Sequence, residues 1–280
     1  MMKETRAEYL AVDKLRPFDE HPFKVVDNEE MDQLVWSILT QGLLTPLVVR
    51  PLDNGEYEVI SGHRRLHACK KAGIETVPAL IYAIDRDAAA IALVDSNLQR
   101  EHILPSEKAF AYKLKLEAMN HQGRTSGQVG QKWTRDEIAE GESGRQVQRY
   151  IRLTNLIPGI LQKVDEGRIA LTPAVELSYL TDAEQEDLLE TMESEDCTPS
   201  LSQAIQMKAL SQSGLLDMDT IFHIMTQPKA NQQEKISFKV SELRDFFPRH
   251  YTAAQMMQEI ILAVKERQQR LARQRDRDAR

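Results

Sequence analysis

The chain has 280 residues, 41% hydrophobic and 28% charged, with 12 Gly and 11 Pro. That is the composition of a folded protein of two or three domains, and it excludes a single small module, a disordered chain and a collagen-like one. Its 36 basic and 43 acidic residues leave a formal charge of −7, so any attraction to polyphosphate has to come from a local patch. Cys69 and Cys197 are the only cysteines, too few for a disulfide scaffold or a four-thiolate zinc site, which points to a reducing cytoplasm. The mixed charges of residues 1–15 do not make a signal peptide, and no run approaches the roughly 18 to 20 apolar residues that span a bilayer, so no membrane partner is expected.

In chain order, NEEMDQLVWSILTQG places Met31, Leu34, Val35 and Ile38 at helical spacing, with acids in the first turn and Gly42 as the stop. Leu47–Arg50 and Tyr57–Ile60 are β-rich runs joined through Asn54-Gly55, the pattern of a hairpin. HRRLHACKK, opened by Gly62 and stopped by Gly73, reads as a helix, Val77–Tyr82 as a strand and Asp87–Leu98 as a helix. Pro105 marks a boundary, since a proline at the first helical position loses no hydrogen bond. Beyond it the pattern is all helical, interrupted by a glycine-rich loop expected at Gly123–Gly130. Asp182–Asp196 carries eight acids and no base, a solvated helix face. The polar stretch Gln227–Gln233 reads as a linker. After it, Ile236, Phe238 and Val240 alternate as in a strand, and a helix follows from Ala253 to about Ala272, in which Met256 and Met257 suit core or dimer packing. The last 16 residues hold seven bases and three acids, net +4.

Two capping patterns, Thr134-x-x-Glu137 and Ser143-x-x-Gln146, start two short helices that meet at Gly141 and Glu142. At 100° per residue the second helix puts Arg145, Arg149 and Arg152 on one side with Gln148 beside them, and Val147, Tyr150, Ile151 and Thr154 on the other. A face of arginine and glutamine suits the major groove, because guanidinium can bridge guanine O6 and N7 and a carboxamide adenine N6 and N7. Ser143, Arg145, Gln146, Gln148, Arg149 and Arg152 are therefore the candidate DNA-contacting residues. An amphipathic surface helix with solvated arginines has the same pattern.

Between the strand ending at Ile60 and the next helix lies Ser61-Gly62-His63-Arg64-Arg65. A small-residue turn opening directly onto a helix with two guanidiniums can hold phosphate, through the outward first-turn N–H groups and the forked donors of arginine. It is not a Walker loop. His63 and His67 stand four residues apart, but Arg64 and Arg65 occupy the places between them where a zincin has its acid, which argues against a metal pair.

Taken together, GLLTPLVVR (42–50), GHRRLHA (62–68), SNLQRE (96–101) and the helix-turn-helix with its continuation to about Leu180 resemble the ParB family of DNA-partition proteins. The resemblance implies an α+β ParB/sulfiredoxin-like domain at 1–104 and an all-α helix-turn-helix domain at 105–212; the small α/β C-terminal unit at 213–280 lies beyond the resemblance, its self-association role is inferred from its position, and the chain is expected to be mainly helical overall. The resemblance further implies a nucleotide site for CTP with Mg²⁺. Thr45, Pro46 and Arg50 would lie near the base and ribose; Gly62, Arg64 and Arg65, in the turn that also holds His63, near the triphosphate; Gln99 and Arg100 near the phosphates; and Asn97 near the metal. The implied partners are a palindromic centromere-like DNA site, a second copy of the chain and a ParA-type ATPase. The chain departs from the family pattern at Thr45, His63 and Ser96, where the family has glutamine, an acid and an acid; the loss of the last predicts slow or absent hydrolysis. Sulfiredoxin has a reactive cysteine in the corresponding turn, whereas Cys69 lies nearly two helical turns later and is expected to be a packed thiol. The function implied is a CTP-dependent clamp that spreads along DNA for plasmid or chromosome segregation; an enzyme on the same fold, such as a phosphotransferase or nuclease, and a non-spreading transcription regulator are the alternatives.

Overall fold

The computed structural model describes residues 6–100, 102–125, 142–227, 243–248 and 250–278. The chain forms two compact units, Met1–Gln227 and Pro228–Arg280.

The first unit begins with a five-stranded sheet ordered β1-β5-β3-β4-β2. Its strands are β1 (Arg6–Ala11), β2 (Leu15–Pro17), β3 (Leu47–Pro51), β4 (Tyr57–Ser61) and β5 (Thr76–Ile81). The β3–β4 pair is the expected hairpin, with Val49 opposite Val59, and β5 joins β3 in parallel. Successive residues of a strand point to opposite faces, and here both faces are covered. Leu47, Val49 and Val59 face one layer with Met31, Ile38, Leu66 and Cys69, while Ile60 faces another with Leu93, Val94 and Leu114. The first layer is α1 (Glu29–Gln41) and α2 (His63–Lys71); the second is α3 (Arg86–Leu98), backed by α4 (Pro105–Thr125). Cys69 is fully buried, as a packed thiol should be.

A helical region follows within the same unit: α5 (Gly144–Arg152), α6 (Pro158–Asp165), α7 (Leu171–Leu177), α8 (Asp182–Ser194), α9 (Leu201–Gln212) and α10 (Met218–Thr226). They share a core of Leu153, Ile160, Leu177, Leu188, Met192, Met207 and Ile221. Buried Gln185 knots this core, accepting the Ile157 N–H at 2.9 Å and donating to the Asn155 and Leu180 carbonyls at 3.0 Å each. The acidic run forms α8, started by a full Thr181–Glu184 capping box, with Leu188 and Met192 inward and Glu186, Glu190 and Glu193 exposed.

Three expectations are revised. The glycine-rich interruption begins later, because α4 continues through Gly123 to Thr125; a single glycine costs a helix only about 1 kcal/mol. The α10 segment, placed by sequence in the C-terminal unit, belongs to the helical core through Ile221, Ile224 and Met225. The Ser143–Gln146 box is half formed: Ser143 accepts the Gln146 N–H, but the Gln146 side chain accepts from Arg149 instead of reaching back. The helix expected from Thr134 and the strand expected at 236–240 lie outside the described residues.

The second unit contains α11 (Ala253–Asp278), longer than the periodicity suggested. Met256 is buried, whereas Met257, Ile261, Leu262, Val264 and Leu271 are exposed.

Candidate functional site

The turn between β4 and α2 is built around Gly62, at φ +106°. A Cβ there would come within 2.6 Å of Leu47 Cδ2, so both the backbone angle and the space require glycine. No side chain caps α2, which leaves its first-turn N–H groups available to a ligand. In front of this turn is a cleft of about 420 Å³ lined by Gly62, His63, Arg64, Arg65, Asn97 and Arg100, together with Glu30, Leu34, Ser61 and Ser96. That volume lies in the range of small-molecule sites.

Its charges are close and incompletely neutralised. Arg64 Nη2 meets Glu30 Oε2 at 3.1 Å, a pair in which the Glu30 side chain is 71% exposed. Arg100 lies 5.5 Å over the Phe23 ring, and burial holds its pKa below the ordinary arginine value, opposed by the Glu107 charge and assisted by repulsion from Arg64. Arg65 is half-buried, and desolvation lowers its pKa as well; guanidinium nevertheless keeps its charge. Three guanidiniums lining one cleft, two of them partly desolvated, could receive a polyanion.

Other expected residues have different surroundings. Arg65 Nη1 donates to the Thr45 carbonyl at 2.6 Å and the Pro46 carbonyl at 2.8 Å, so the Thr45–Pro46 loop is tied to the cleft by its backbone. Arg50 lies outside the cleft lining, with its Nε 2.6 Å from Glu58 Oε2 in a pair whose side chains are 13% and 8% exposed. Gln99 lines a separate cavity with Asp95, Lys108, Tyr112, Lys115 and Glu142. His63 Nε2 accepts the Phe18 N–H at 3.2 Å, its ring stacks on His21 at 3.7 Å, and it bonds to the Val59 backbone. Desolvation, then the neighbouring His21 and Arg100, lowers His63 to about 3; desolvation and Arg100 lower His21 to about 4. Both rings are neutral at physiological pH, and His63 holds the 18–23 loop against the turn between β4 and α2. His67 instead meets Asp27 at 3.0 Å.

Asn97 is buried at the cleft wall, with Nδ2 donating to Leu93 O at 2.8 Å and Ser96 Oγ at 3.3 Å. With its donors so used, it has an oxygen to offer, which suits a hard cation. Among the described residues no group of three or more His, Cys, Asp and Glu could hold a metal. A Mg²⁺ here would therefore rely on ligand phosphates and water beside Asn97, which is how that ion commonly binds.

On α5, Val147 is buried and Tyr150 and Ile151 pack on the Tyr112–Met119 cluster, while Arg145 is exposed at the helix start. Gln146 and Gln148 are half-buried. Arg149 is held by Gln146 Oε1 at 3.2 Å and Thr172 Oγ1 at 2.6 Å. Arg152 turns inward: Nη2 donates to Ser178 O at 2.8 Å and the guanidinium lies 3.8 Å over Tyr179, whose ring also faces Lys208 at 3.7 Å. The structure thus places Ser143, Arg145 and Gln146 at the start of α5, ties Arg149 of its last turn back to Gln146, and gives Arg152 a bridging position within the helical core. Sequence reasoning missed Glu30, Leu34 and His21, because nothing in the local pattern of α1 or the 18–23 loop announces that it folds beside residue 63.

The ParB N-terminal domain family matches residues 1–98. The chain is 30% identical over 248 residues to a probable chromosome-partitioning protein ParB of Vibrio cholerae, covering 87% of this chain and 80% of that one. It is 29% identical over 260 residues to a nucleoid occlusion protein of Listeria innocua, covering 85% and 87%. It is also similar to a solved structure of C-terminally truncated ParB from Caulobacter crescentus complexed with the centromeric parS site, at 23% identity and a TM-score of 0.42, over 74% of this chain and 99% of that one. Matched along most of both sequences by the Vibrio protein, the chain belongs to the ParB family.

Proposed function

We propose that this chain is a sequence-specific DNA-binding partition protein whose amino-terminal domain is a CTP switch. The observation that carries the nucleotide reading is the convergence of Arg64, Arg65 and Arg100 on the uncapped start of α2, at a glycine that admits close backbone approach. A triphosphate would relieve the repulsion between Arg64 and Arg100 and displace the exposed Glu30 from Arg64. The Thr45–Pro46 backbone, fixed by Arg65, would be the edge presented to base and ribose, and Asn97 would offer its oxygen to Mg²⁺. When bound, the cation would neutralise phosphate charge. The only carboxylate lining the cleft among the described residues is Glu30, already paired with Arg64, which supports slow or absent hydrolysis. The names of the relatives, partition in one and nucleoid occlusion in the other, support a role on the bacterial chromosome.

DNA binding is assigned to Arg145, Gln146, Gln148 and Arg149, with Ser143 fixing the helix start and Arg152 positioning the helix. A homodimer reading a palindromic site, with a ParA-type ATPase as partner, completes the reading. The test is calorimetry of the full chain with CTP, ATP, GTP and UTP in Mg²⁺, with Arg64→Ala as control. Selective CTP binding, weakened by roughly 10-fold or more in Arg64→Ala, an amount near 1.4 kcal/mol, is expected. Equal or absent binding of all four nucleotides would overturn the switch. Selection of bound duplexes from random DNA tests the second half; recovery of no consensus would remove α5 as a reader of sequence.

A further inference from the structure

The end of α3 has two faces. Ser96, Asn97 and the following Arg100 line the arginine cleft, while Asp95, Leu98 and Gln99 line the separate cavity, about 280 Å³. The rest of that cavity is formed by Lys108, Tyr112 and Lys115 of α4 and by Glu142, the residue immediately before the Ser143 cap of α5.

This second site is charged and only partly satisfied. Lys108 Nζ bonds Glu142 Oε1 at 2.8 Å and lies 5.3 Å over the Tyr150 ring, and Lys115 Nζ holds Asp95 Oδ1 at 2.5 Å. Glu142 Oε2 is buried without a hydrogen-bond partner, an arrangement that carries a desolvation penalty another pairing could relieve. Burial, then the Glu142 charge and a hydrogen bond to that carboxylate, pushes the Tyr112 phenol well above its ordinary value, so it remains a protonated donor. Tyr112 also joins Leu98 of α3 and Val147 of α5 in one apolar cluster.

Taking the nucleotide reading of the cleft as its premise, we infer that Glu142 is the positioning residue through which occupancy of the cleft changes the seating of the DNA-facing helix α5. A ligand that draws in Asn97 and Arg100 also moves Asp95 and Gln99, which belong to the same end of α3 and the residues that directly follow it. That movement changes the partners offered to the Glu142 carboxylate across the cavity. Because Glu142 adjoins the α5 cap, its new pairing shifts the first turn, Ser143–Gln146. The two arrangements differ in how completely Glu142 is hydrogen-bonded, and a ligand can favour one of them only by binding it more tightly. Coupling is reciprocal, so DNA on α5 alters affinity in the cleft by the same factor.

The experiment is hydrogen exchange of the α5 amides in the full-length chain, with and without saturating CTP and Mg²⁺, and in parallel with inorganic triphosphate; affinity is measured by calorimetry. The wild type is expected to show a ligand-dependent change across Gly144–Arg152. In Glu142→Gln, and separately in Lys108→Met, that change should fall by at least about half while CTP affinity stays within about twofold, small beside typical coupling factors. Lys108→Arg, which keeps the ion pair, should retain the response. A response of wild-type size in both Glu142→Gln and Lys108→Met, or none in a wild type that binds CTP, overturns the relay and leaves the cleft reading standing. If neither probe binds the wild type, the cleft reading falls and the relay falls with it.

Discussion

The family resemblance puts Arg50 and Arg64 on one ligand, yet their surroundings differ. Arg50 is paired with Glu58 inside the sheet, and removing one partner of a buried pair leaves an uncompensated charge worth about 3 to 5 kcal/mol. Arg50→Ala is therefore predicted to lower the unfolding free energy by about that amount in urea titrations, while Arg64→Ala, whose partner is exposed, changes it by less than about 1 kcal/mol. A common stability loss in both variants would contradict the distinction. The His21–His63 pair supplies a pH prediction. Both folded-state pKa values lie below the unfolded value of 6.5, at about 4 and about 3. The unfolded chain takes up protons first as pH falls, so the contribution of the neutral pair is complete above pH 6.5 and is lost progressively towards pH 3. The limiting slope is about 1.4 kcal/mol per pH unit for each ring. Replacing His63 with Gln should flatten the stability profile between pH 6 and 4, as measured by thermal unfolding; an unchanged slope would place the acid sensitivity elsewhere.

Elements were legible where a repeating apolar pattern met a clear stop. The amphipathic α1, the Asn54-Gly55 hairpin, α2 between two glycines and the proline start of α4 all have that form. β1 was not legible: four of its six residues are exposed, and its order comes from pairing with β5, from Arg6 opposite Ile81 to Ala11 opposite Thr76. An edge strand needs no alternating core face, and charged side chains there discourage further pairing. The site was half legible for a related reason. Gly62–Arg65 is a local motif, whereas Arg152 could be assigned inward only once α7 and α9 were known to bring Ser178, Tyr179 and Lys208 beside it. The start of α4 depends on distant chain as well. Asp165 accepts the Ser106 N–H at 2.9 Å and the Ser106 hydroxyl at 2.6 Å, and pairs with Lys24 at 3.1 Å, with its own side chain 7% exposed. Asp165→Ala should destabilise the unit by about 1 to 3 kcal/mol, the usual penalty for stranding buried donors, and accelerate amide exchange in the first turn of α4 before that of α2. Exchange that accelerates uniformly would make the effect global.

For the whole molecule, a net charge of −7 means that DNA must be met by a localised surface rather than by the average field. The proposed self-association would have a comparably local basis. Exposed Met257, Ile261, Val264 and Leu271 follow the alternating three- and four-residue spacing of a coiled-coil seam, with Gln268 at the remaining seam position. The full chain is accordingly predicted to be a dimer by light scattering, and Ile261→Asp combined with Val264→Asp to be a monomer with an intact first unit. Persistence of the dimer in that double variant would move the interface off this helix.

The Asp165 anchor bears on how the chain matures at the ribosome. Ser106 waits for a carboxylate 59 residues downstream, while every strand of the sheet and its first three helices end by residue 98. Translation proceeds from the amino end, so the nascent arginine cleft can assemble before the support that fixes its neighbouring long helix has been synthesised. Emergence of Asp165 would be the moment at which a separately collapsing head is fastened to the helical region.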